Sequence, residues 1–148
     1  MFKVTVCDID GVLLETQYLL KEIHNLGLTG DAKWEHFYRN CNSDRVHLAD
    51  GAMELIHFID ASTNSILILS TARNEKCRHE TMSKLWSYGI SFLELYMRPD
   101  GDLRPSAEIK REHLTEIMKK YNVALFIDDD LSNCKMAKEL GVLALRKV

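Results

Sequence analysis

The stretch Val4-Thr5-Val6-Cys7-Asp8-Ile9-Asp10-Gly11 decides the fold that we expect for this chain. A short run of β-prone apolar residues bounded by a glycine predicts a buried strand of a parallel sheet. Asp8 and Asp10 follow at the carboxyl end of this strand, and they share one face if the chain stays extended, because side chains alternate along a strand. Ligands of open α/β sheets bind at the carboxyl ends of the strands. The stretch therefore predicts a functional site at this end of the sheet.

The two carboxylates of this stretch need a compensating charge. At about 4 Å separation and an effective dielectric of about 20, two such groups repel each other by a few kcal/mol. A bound proton, a cationic side chain or a metal ion offsets that repulsion. The alternative interpretation is a pair of turn or helix-capping aspartates, because aspartate side chains commonly bond to their own backbone in such positions.

Length and composition indicate an ordinary globular protein. The chain has 148 residues, of which 46% are hydrophobic and 28% charged, so we expect a single domain over residues 1–148. No apolar run approaches the roughly 20 residues of a membrane span. The first strand begins at once, so we expect a cytoplasmic protein without a signal peptide. The net charge of −3 gives no general attraction to nucleic acids, and contact with a phosphate backbone would need a local basic cluster.

The cysteines and histidines show no metal-ligand spacing. None of the four cysteines forms a Cys-x-x-Cys pair, and the six histidines show no pattern such as His-Glu-x-x-His. Each cysteine falls within an apolar strand or helix pattern, which favours buried reduced thiols over disulfides or zinc ligands. The cysteines are Cys7, Cys41, Cys77 and Cys134.

Apolar patterns along the chain predict strands that alternate with helices. After the first strand, buried strands are predicted at Ser65–Ser70, Phe92–Met97 and Val123–Ile127, with helices between them. Thr16 and Ser132 are expected to cap helices. About 50 residues between the first two strands are predicted to form short helices without a separate domain over the site. This order predicts an α/β fold, a doubly wound Rossmann-like parallel sheet with helices on both faces and a minimal or absent cap domain.

The predicted sheet brings polar residues from three strand ends to one edge, because the carboxyl ends of parallel strands meet there. A lysine in the first turn of a helix and an arginine-containing loop join them. Oxygen ligands from a few carboxylates favour Mg²⁺, although the same set also suits Mn²⁺. The residues are Asp8, Asp10, Thr71, Arg73, Asp128 and Asp129 at the strand ends, Lys110 in the helix, and Arg98 and Arg104 in the loop.

This combination suits phosphoryl transfer. An aspartate can attack phosphorus and split one difficult step into two, and a second carboxylate can protonate the departing alkoxide and then activate water. The hydroxyl of Thr71 and the ammonium of Lys110 would bind the nonbridging oxygens, where negative charge gathers in the transition state. Taken alone, Lys110 is more typical of a solvated helix residue, and only its combination with the other polar residues favours a role in the site. Asp130 is expected to begin a helix rather than to bind metal, because carboxylates favour that end of the helix dipole.

Four motifs of this chain resemble those of the haloacid dehalogenase superfamily of phosphohydrolases, and they occur in the same order. Asp8-Ile9-Asp10-Gly11-Val12 resembles the first motif, and four apolar residues followed by Thr71 resemble the second. Lys110 resembles the third motif and Ile127-Asp128-Asp129 the fourth. The resemblance covers nearly the whole chain.

Two segments further resemble the 3′-phosphatase half of phage polynucleotide kinase and its stand-alone phage and bacterial relatives. They are Thr71-Ala72-Arg73 and the pattern Arg-x-x-Gly-Asp-x-Arg from Arg98 to Arg104, which is followed by Lys110. Ala72 stands where these relatives often have glycine, which stiffens that turn slightly. The Gly-x-x-x-x-Gly-Lys-Ser/Thr loop of a kinase is absent, so no kinase activity is implied.

The resemblance also implies a role for each site residue. Asp8 would be the nucleophile, and Asp10 the general acid and base with its backbone carbonyl at the metal. Thr71 would bind the phosphoryl group and Lys110 would neutralise it. Mg²⁺ would be the cofactor. The implied metal-binding residues are Asp8, Asp10, Asp128 and Asp129, and the implied substrate-binding residues are Arg73, Arg98 and Arg104.

The function implied by the resemblance is a Mg²⁺-dependent phosphomonoesterase that acts through an aspartyl-phosphate and removes 3′-phosphate from polynucleotide ends. The arginine-rich loop favours this substrate, whereas the acidic net charge favours a nucleotidase that acts on nucleoside monophosphates. A module that binds phosphate without turnover is a second alternative, although every residue that the reaction needs is present. The expected partner is a phosphorylated nucleic acid end or a nucleotide, and no contact with a membrane is expected. The sequence is compatible with a monomer and with a homodimer.

Overall fold

The computed structural model describes residues 1–148 and contains a parallel sheet of five strands together with a two-stranded pair. The strands are β1 (Lys3–Cys7), β2 (Leu14–Glu15), β3 (His47–Leu48), β4 (Ile66–Asn74), β5 (Leu95–Arg98), β6 (Asn122–Asp128) and β7 (Ala144–Arg146). The large sheet has the order β5-β4-β1-β6-β7, and every pairing in it is parallel. The first strand of the chain therefore lies at the centre of the sheet, between β4 and β6.

Six α-helices connect and cover these strands. They are α1 (Gln17–Asn25), α2 (Gly30–Asn40), α3 (Ala52–Phe58), α4 (Arg78–Ser87), α5 (Ser106–Lys120) and α6 (Leu131–Glu139). A π-helical turn at Ile59–Thr63 follows α3, and a 3₁₀ turn at Glu75–Cys77 precedes α4. None of the helices is both long and apolar enough to cross a bilayer.

Each face of the sheet has its own hydrophobic cluster, because successive side chains of a strand point to opposite faces. Val4 and Val6 are fully buried in a cluster that also contains Leu114 of α5 and Met136 of α6. Cys7 belongs to the larger cluster on the other face, to which α1, α2 and α4 contribute. Helices thus cover both faces, which confirms the predicted doubly wound α/β fold and explains why β1 is buried from Val4 to Cys7.

The helices α1 and α2 are inserted between the two short strands of the antiparallel pair, in which Leu14 lies opposite Leu48. Their buried side chains include Leu19, Ile23 and Phe37, which pack into the larger cluster of the sheet. The inserted helices share this core and have none of their own. This arrangement agrees with the predicted minimal cap.

Two strands have different bounds from those predicted. β4 continues beyond Ser70 to Asn74, because Asn74 pairs with Arg98 of β5 after a shift in register. β5 begins at Leu95 rather than at Phe92. The longer β4 carries the Thr71–Arg73 segment as strand, so its side chains alternate instead of following a turn.

Two predicted helix caps are wrong. The hydroxyl of Thr16 makes no capping bond to α1 and donates instead to Oδ1 of Asp10, at 3.0 Å. α6 is capped by Asp130, whose carboxylate accepts hydrogen bonds from the backbone N–H groups of Ser132 and Asn133. Asp130 therefore begins a helix, as predicted, and the cap lies two residues before the predicted Ser132.

Candidate active site

The carboxyl ends of β1 and β6 bring two aspartates side by side. Cys7 pairs with Ile127 in the parallel register, and the backbone N–H of Asp8 donates to the carbonyl of Ile127 at 2.9 Å. The next residue on each strand, Asp8 and Asp128, is thereby placed at the same edge of the sheet. Asp8 is 6% exposed and Asp128 is fully buried, so both carboxylates depend on partners inside the protein.

Lys110 supplies that partner. It lies on the buried face of α5 with Leu114 and Ile117, and its side chain is 2% exposed. Its Nζ is 2.8 Å from Oδ1 of Asp8 and 2.6 Å from Oδ2 of Asp128. Burial acts to lower the pKa of Lys110, but the two carboxylates outweigh it and raise that pKa above its ordinary value. The structure therefore excludes a solvated Lys110.

The single ammonium does not fully compensate the acidic cluster. Burial raises the pKa of Asp8 well above its ordinary value, and the attraction of Lys110 opposes this shift without cancelling it. Repulsion from the Asp128 and Asp10 carboxylates adds to the increase in the pKa of Asp8. An additional cation at this edge would stabilise the ionised form of Asp8.

The carboxylate of Asp10 binds Arg73 rather than Lys110. Nε of Arg73 donates to Oδ2 of Asp10 at 2.9 Å, and Nη2 donates to Oδ1 at 2.8 Å. Thr16 adds a third bond to the same carboxylate. Burial acts to lower the pKa of Arg73. The charge of the Asp10 carboxylate and its hydrogen bonds together outweigh burial and raise that pKa above its ordinary value, so the guanidinium stays charged. These three bonds hold the Asp10 carboxylate in a fixed orientation. Its side chain is 26% exposed, so solvent still reaches it.

The remaining donors of Arg73 are also used inside the protein. Nη1 donates to Oδ1 of Asn42 at 2.6 Å and to Oγ1 of Thr81 at 3.1 Å, and Nη2 donates to the carbonyl of Cys41 at 3.1 Å. Together with the two bonds to Asp10, these contacts use all five N–H groups of a guanidinium. These contacts assign Arg73 a role in holding Asp10, and the expected contact of Arg73 with the substrate stays a prediction.

Thr71 lies on β4 at the same edge of the sheet. Cys7 of β1 pairs with Leu69, which lies two residues before Thr71 on β4. The side chain of Thr71 is buried, with Thr71 1% exposed. Its Oγ1 accepts a hydrogen bond from the backbone N–H of Arg73 at 3.1 Å, and its own hydroxyl proton remains free to be donated. Thr71 is thus placed as a donor at the edge where the strands end.

Arg98 is the last residue of β5 rather than a loop residue as predicted, and together with Arg104 it stabilises the loop that follows. Arg98 donates to the backbone carbonyls of Ala72 and Asp102 at 3.0 Å and to that of Arg104 at 2.6 Å. Arg104 forms ion pairs with Asp102 and Glu112. The guanidinium of Arg104 lowers the pKa of Asp102 to about 2. The contacts of Arg98 and Arg104 are with groups of β4, the loop and α5 rather than with the acidic cluster, so their role toward a substrate stays a prediction.

A set of three carboxylates has the donor chemistry of a divalent metal site. Asp8, Asp128 and Asp129 each offer one oxygen atom, and these atoms all lie within 4.8 Å of one another. Gly11 makes room for the third group: its φ is +82°, and a Cβ there would lie 2.1 Å from Oδ2 of Asp129. Hard oxygen ligands of this kind suit Mg²⁺. The carboxylate of Asp10 is not in the set, so its predicted metal role rests on its backbone carbonyl alone.

Asn133 is a site residue that sequence reasoning missed. Its Nδ2 donates to Oδ2 of Asp128 at 3.1 Å and to Oγ of Ser106 at 3.2 Å, which joins α6 to β6 and α5. Its Oδ1 is buried without a hydrogen-bond partner, an oxygen acceptor of the kind that a cation binds. The signal was present in the sequence, because a helix that begins at Asp130 places Asn133 in its first turn.

A groove of about 860 Å³ lies next to the Arg73 contacts. Its lining is mainly polar and includes Asn42, which bonds to Arg73, and the basic residues Arg39, Lys76 and Lys84. None of the three clustered carboxylates lines it. The groove therefore adjoins the Asp10 side of the site rather than the acidic cluster itself.

Comparison with known proteins gives one family and several similar structures. The model of the polynucleotide kinase PNKP phosphatase domain matches residues 2–146. None of the curated proteins compared with the chain matches it. Two solved structures of a Pnkp1/Rnl/Hen1 complex, one described as an RNA repair complex, each share 25% identity with the chain, at TM-scores of 0.74 and 0.76.

The chain is similar to only part of the proteins in these complexes. The matches cover 98% and 99% of this chain but 45% and 42% of the other chains, so it spans less than half of their length. A haloacid dehalogenase-like hydrolase from Streptococcus pneumoniae has the same fold at 16% identity, with a TM-score of 0.60 over 98% of this chain and 84% of that one. The chain therefore belongs to the family of polynucleotide kinase PNKP phosphatase domains and is a phosphatase of the haloacid dehalogenase superfamily.

Proposed function

We propose that this phosphatase is a Mg²⁺-dependent phosphomonoesterase that removes 3′-phosphate from polynucleotide ends. The observation that carries the proposal is the arrangement around Lys110, which bridges Asp8 and Asp128 at the edge where Asp10 is held in place by Arg73. A carboxylate nucleophile, a fixed acid–base group and a buried cation are the parts that phosphoryl transfer from an ester requires.

Asp8 is the proposed nucleophile. One of its carboxylate oxygens attacks phosphorus, and the bond between phosphorus and the leaving oxygen breaks, which gives an aspartyl-phosphate. Water then attacks the phosphorus of this intermediate, releases inorganic phosphate and regenerates the Asp8 carboxylate. Burial beside Lys110 holds the attacking oxygen in one orientation.

Asp10 is the proposed general acid and base. In the first step its carboxyl group gives a proton to the leaving alkoxide, and in the second step its carboxylate takes a proton from the attacking water. Arg73 and Thr16 fix the orientation of this carboxylate, and its partial exposure leaves it open to the leaving group and to water. Arg73 is therefore a positioning residue in this scheme.

Thr71 and Lys110 are the proposed groups that bind the nonbridging oxygens. The free hydroxyl proton of Thr71 and the charged ammonium of Lys110 favour the negative charge that gathers on those oxygens in the transition state. Asp8, Asp128 and Asp129 would hold Mg²⁺, with the Asp10 carbonyl as the further ligand that the family resemblance implies. A bound Mg²⁺ offsets the repulsion between the anionic nucleophile and the phosphate.

The choice of substrate rests on the family and on the groove. The matching family is that of polynucleotide kinase phosphatase domains, and one similar structure is described as an RNA repair complex. The groove beside Arg73 is lined by Arg39, Lys76 and Lys84 and by two acidic residues, Asp44 and Glu80, and this small excess of positive charge favours a chain of phosphates leading away from the site. The net charge of −3 favours the alternative substrate, a nucleoside monophosphate. Four free cysteines agree with a reducing, cytoplasmic compartment.

The test is phosphate release with Mg²⁺, with and without EDTA, from a panel of substrates. The panel contains 3′- and 5′-phosphorylated oligonucleotides and nucleoside 3′- and 5′-monophosphates, each at several salt concentrations. We expect preference for the 3′-phosphorylated oligonucleotide, with activity that falls steeply as salt rises through counterion release. Preference for a mononucleotide with little response to salt would establish the nucleotidase instead.

The control for this panel is Asp8→Asn, a nearly isosteric change that removes the nucleophile. We expect the variant to keep its circular dichroism spectrum and to lose turnover on every substrate. Normal turnover in the variant contradicts the assignment of Asp8. Absence of phosphate release by the folded wild-type chain across the panel would support the phosphate-binding module.

A further inference from the structure

Two cysteines lie beside Arg73. Cys41 directly follows α2, and its carbonyl accepts a hydrogen bond from Nη2 of Arg73 at 3.1 Å. Cys77 directly precedes α4, and its Sγ accepts a hydrogen bond from Oγ1 of Thr81 at 3.6 Å. The same Thr81 oxygen accepts a bond from Nη1 of Arg73 at 3.1 Å. The two cysteines are thus joined through the guanidinium that orients Asp10.

The two elements that carry these thiols are also joined directly. The thiol of Cys77 donates to the carbonyl of Asn74 at 3.1 Å, and that of Cys41 donates to the carbonyl of Tyr38 at 3.8 Å. The hydroxyl of Tyr38 accepts a bond from the backbone N–H of Asn74 at 3.1 Å. The end of α2 and the end of β4 are therefore in contact where the thiols lie.

Cys77 differs from the other cysteines in its access to solvent. It is partly exposed and lines the groove, whereas Cys41 and Cys7 are fully buried and Cys134 is 8% exposed. The sequence-based expectation of four buried thiols is therefore wrong for Cys77. A small reagent that enters the groove reaches the sulfur of Cys77 first.

The surroundings of Cys77 favour its reactive form. The neighbouring thiol of Cys41, the hydrogen bond from the hydroxyl of Thr81 and the charge of Arg73 lower the pKa of Cys77 to about 7, against the effect of burial and of Asp10. The neighbouring thiol of Cys77 and burial raise the pKa of Cys41. Near neutral pH, Cys77 is thus partly a thiolate with a protonated thiol beside it, and the thiolate is the nucleophile in thiol chemistry.

We propose that Cys77 is a modification site for hydroperoxides and that Cys41 converts the product into a disulfide. The Cys77 thiolate sulfur attacks the terminal oxygen of the hydroperoxide, an S–O bond forms and the O–O bond breaks. The other oxygen leaves as hydroxide or alkoxide and takes up the proton that Cys77 has released, which gives water or an alcohol. The Cys41 sulfur then attacks the Cys77 sulfur, an S–S bond forms, and the S–O oxygen leaves with the Cys41 proton as water. Two thiols and one hydroperoxide thus give one disulfide, one water and one water or alcohol.

The disulfide would act on the phosphatase site through Arg73. An S–S bond of about 2.0 Å requires the two sulfurs to approach each other. The backbone of Cys41 and the hydroxyl of Thr81 then shift, and both are partners of the guanidinium that holds Asp10. This consequence for turnover rests on the proposed role of Asp10, whereas the thiol chemistry itself does not.

The experiment uses the full reduced chain treated with hydrogen peroxide, blocked with an alkylating reagent and mapped by peptide mass spectrometry. We expect one disulfide between Cys41 and Cys77, with Cys7 and Cys134 alkylated as free thiols in the same molecules. We also expect turnover of a generic aryl phosphate to fall about tenfold or more, as part of the factor of about 10² to 10⁴ from a positioned acid–base group, and dithiothreitol to restore it.

Two variants separate the steps. Cys77→Ser should form no disulfide, and peroxide should leave its turnover at the level of the same variant before treatment. Cys41→Ala should form no disulfide but accumulate a sulfenic acid on Cys77 that dimedone traps. Unmodified Cys77 in the oxidised wild type, or sulfenic acid without a disulfide, overturns the proposed pair. A disulfide that leaves turnover unchanged overturns its connection to Asp10, whatever the natural substrate proves to be.

Discussion

Arg73 donates hydrogen bonds to both carboxylate oxygens of Asp10, at N–O distances of 2.9 and 2.8 Å, and is itself 2% exposed. A fork of two parallel bonds fixes the plane of the carboxylate as well as its position. The other donors of Arg73 bind groups at the end of α2 and on α4. The orientation of the proposed acid–base group is therefore set by the inserted helices as well as by the sheet.

Replacement of Arg73 by lysine should lower turnover more than it weakens substrate binding. A lysine ammonium keeps the positive charge but cannot make the planar two-point contact with Asp10. We expect kcat for an aryl phosphate to fall about 10- to 100-fold with KM nearly unchanged. We also expect the free energy of unfolding to fall by about 1–3 kcal/mol, because buried acceptors lose their partner.

The matched control for this change is Arg39→Lys. The side chain of Arg39 is 71% exposed and pairs only with Glu35 one turn away, so kcat and stability should stay close to wild type. An Arg73→Lys enzyme with wild-type kcat would contradict a positioning role for Arg73. A rise in KM alone would support the prediction that Arg73 contacts the substrate directly.

Replacement of Lys110 by methionine should strongly destabilise the metal-free protein. Lys110 contacts both Asp8 and Asp128, and its removal leaves two buried carboxylates without a cation. We expect the free energy of unfolding in EDTA, measured with urea at pH 7, to fall by about 3–5 kcal/mol. Because Mg²⁺ would bind the same carboxylates, it should recover part of this loss.

The control is Lys119→Met, which removes an exposed lysine of the same helix that pairs with Glu116 at 2.7 Å. An exposed pair of this type contributes less than about 1 kcal/mol. Equal stability losses in the two variants would show that the Lys110 contacts do not stabilise the acidic cluster.

The sequence was sufficient to predict where the site lies. Asp8 and Asp128 each follow an apolar strand, and parallel strands place their carboxyl ends together, so adjacency follows from topology. Lys110 was harder to place, because one lysine in a helical pattern looks the same whether it is buried or solvated. Only the position of α5 against β6 decided that its ammonium lies between two carboxylates.

The sequence was not sufficient to predict what the long and polar side chains contact. Arg73 has many accessible rotamers, and the partners that select one of them come from Cys41 and Asn42, more than 30 residues away in the chain. Thr16 had two competing partners, the first turn of α1 and the carboxylate of Asp10, and the charged acceptor prevails. These outcomes depend on tertiary packing, which local patterns do not encode.

Replacement of Gly11 by alanine should weaken metal binding. Gly11 has a φ of +82°, and a Cβ there would lie 2.1 Å from Oδ2 of Asp129 and 2.7 Å from its Cγ, so this carboxylate must move. We expect the Mg²⁺ concentration for half-maximal activity to rise about tenfold or more. Isothermal titration with Mg²⁺ measures the same loss without substrate.

Gly51→Ala is the matched control, because Gly51 has a similar φ of +76° but nothing within 4 Å of a Cβ. It carries the backbone strain of about 1–2 kcal/mol without touching the carboxylates. Both variants should therefore lose stability, but only Gly11→Ala should need more Mg²⁺. An unchanged Mg²⁺ requirement in Gly11→Ala would show that Asp129 is not a ligand.

His113 should make the stability of the protein depend on pH below neutrality. It lies on the buried side of α5, where Nε2 donates to the carbonyl of Met97 at 3.0 Å. A carbonyl only accepts, so in the neutral ring Nδ1 is the acceptor for the hydroxyl of Ser70 at 2.8 Å. Burial lowers the pKa of His113 from its ordinary value of 6.5 to about 4. The folded protein therefore keeps this ring neutral at a pH at which the unfolded chain protonates it.

The sign of the effect follows from the protons bound. Between about pH 4 and 6.5 the unfolded state holds one proton more at His113 than the folded state, so stability increases with pH in that window. The full loss of unfolding free energy on acidification across the window is about 3 kcal/mol at this site.

His113→Gln keeps a donor and an acceptor but does not titrate, so its unfolding free energy should fall less between pH 7 and pH 4.5 than that of the wild type. His57→Gln, on the exposed side of α3, should retain the wild-type slope. Urea titrations of the three proteins at both pH values decide the matter, and parallel slopes for wild type and His113→Gln would mean that the buried ring does not control acid stability.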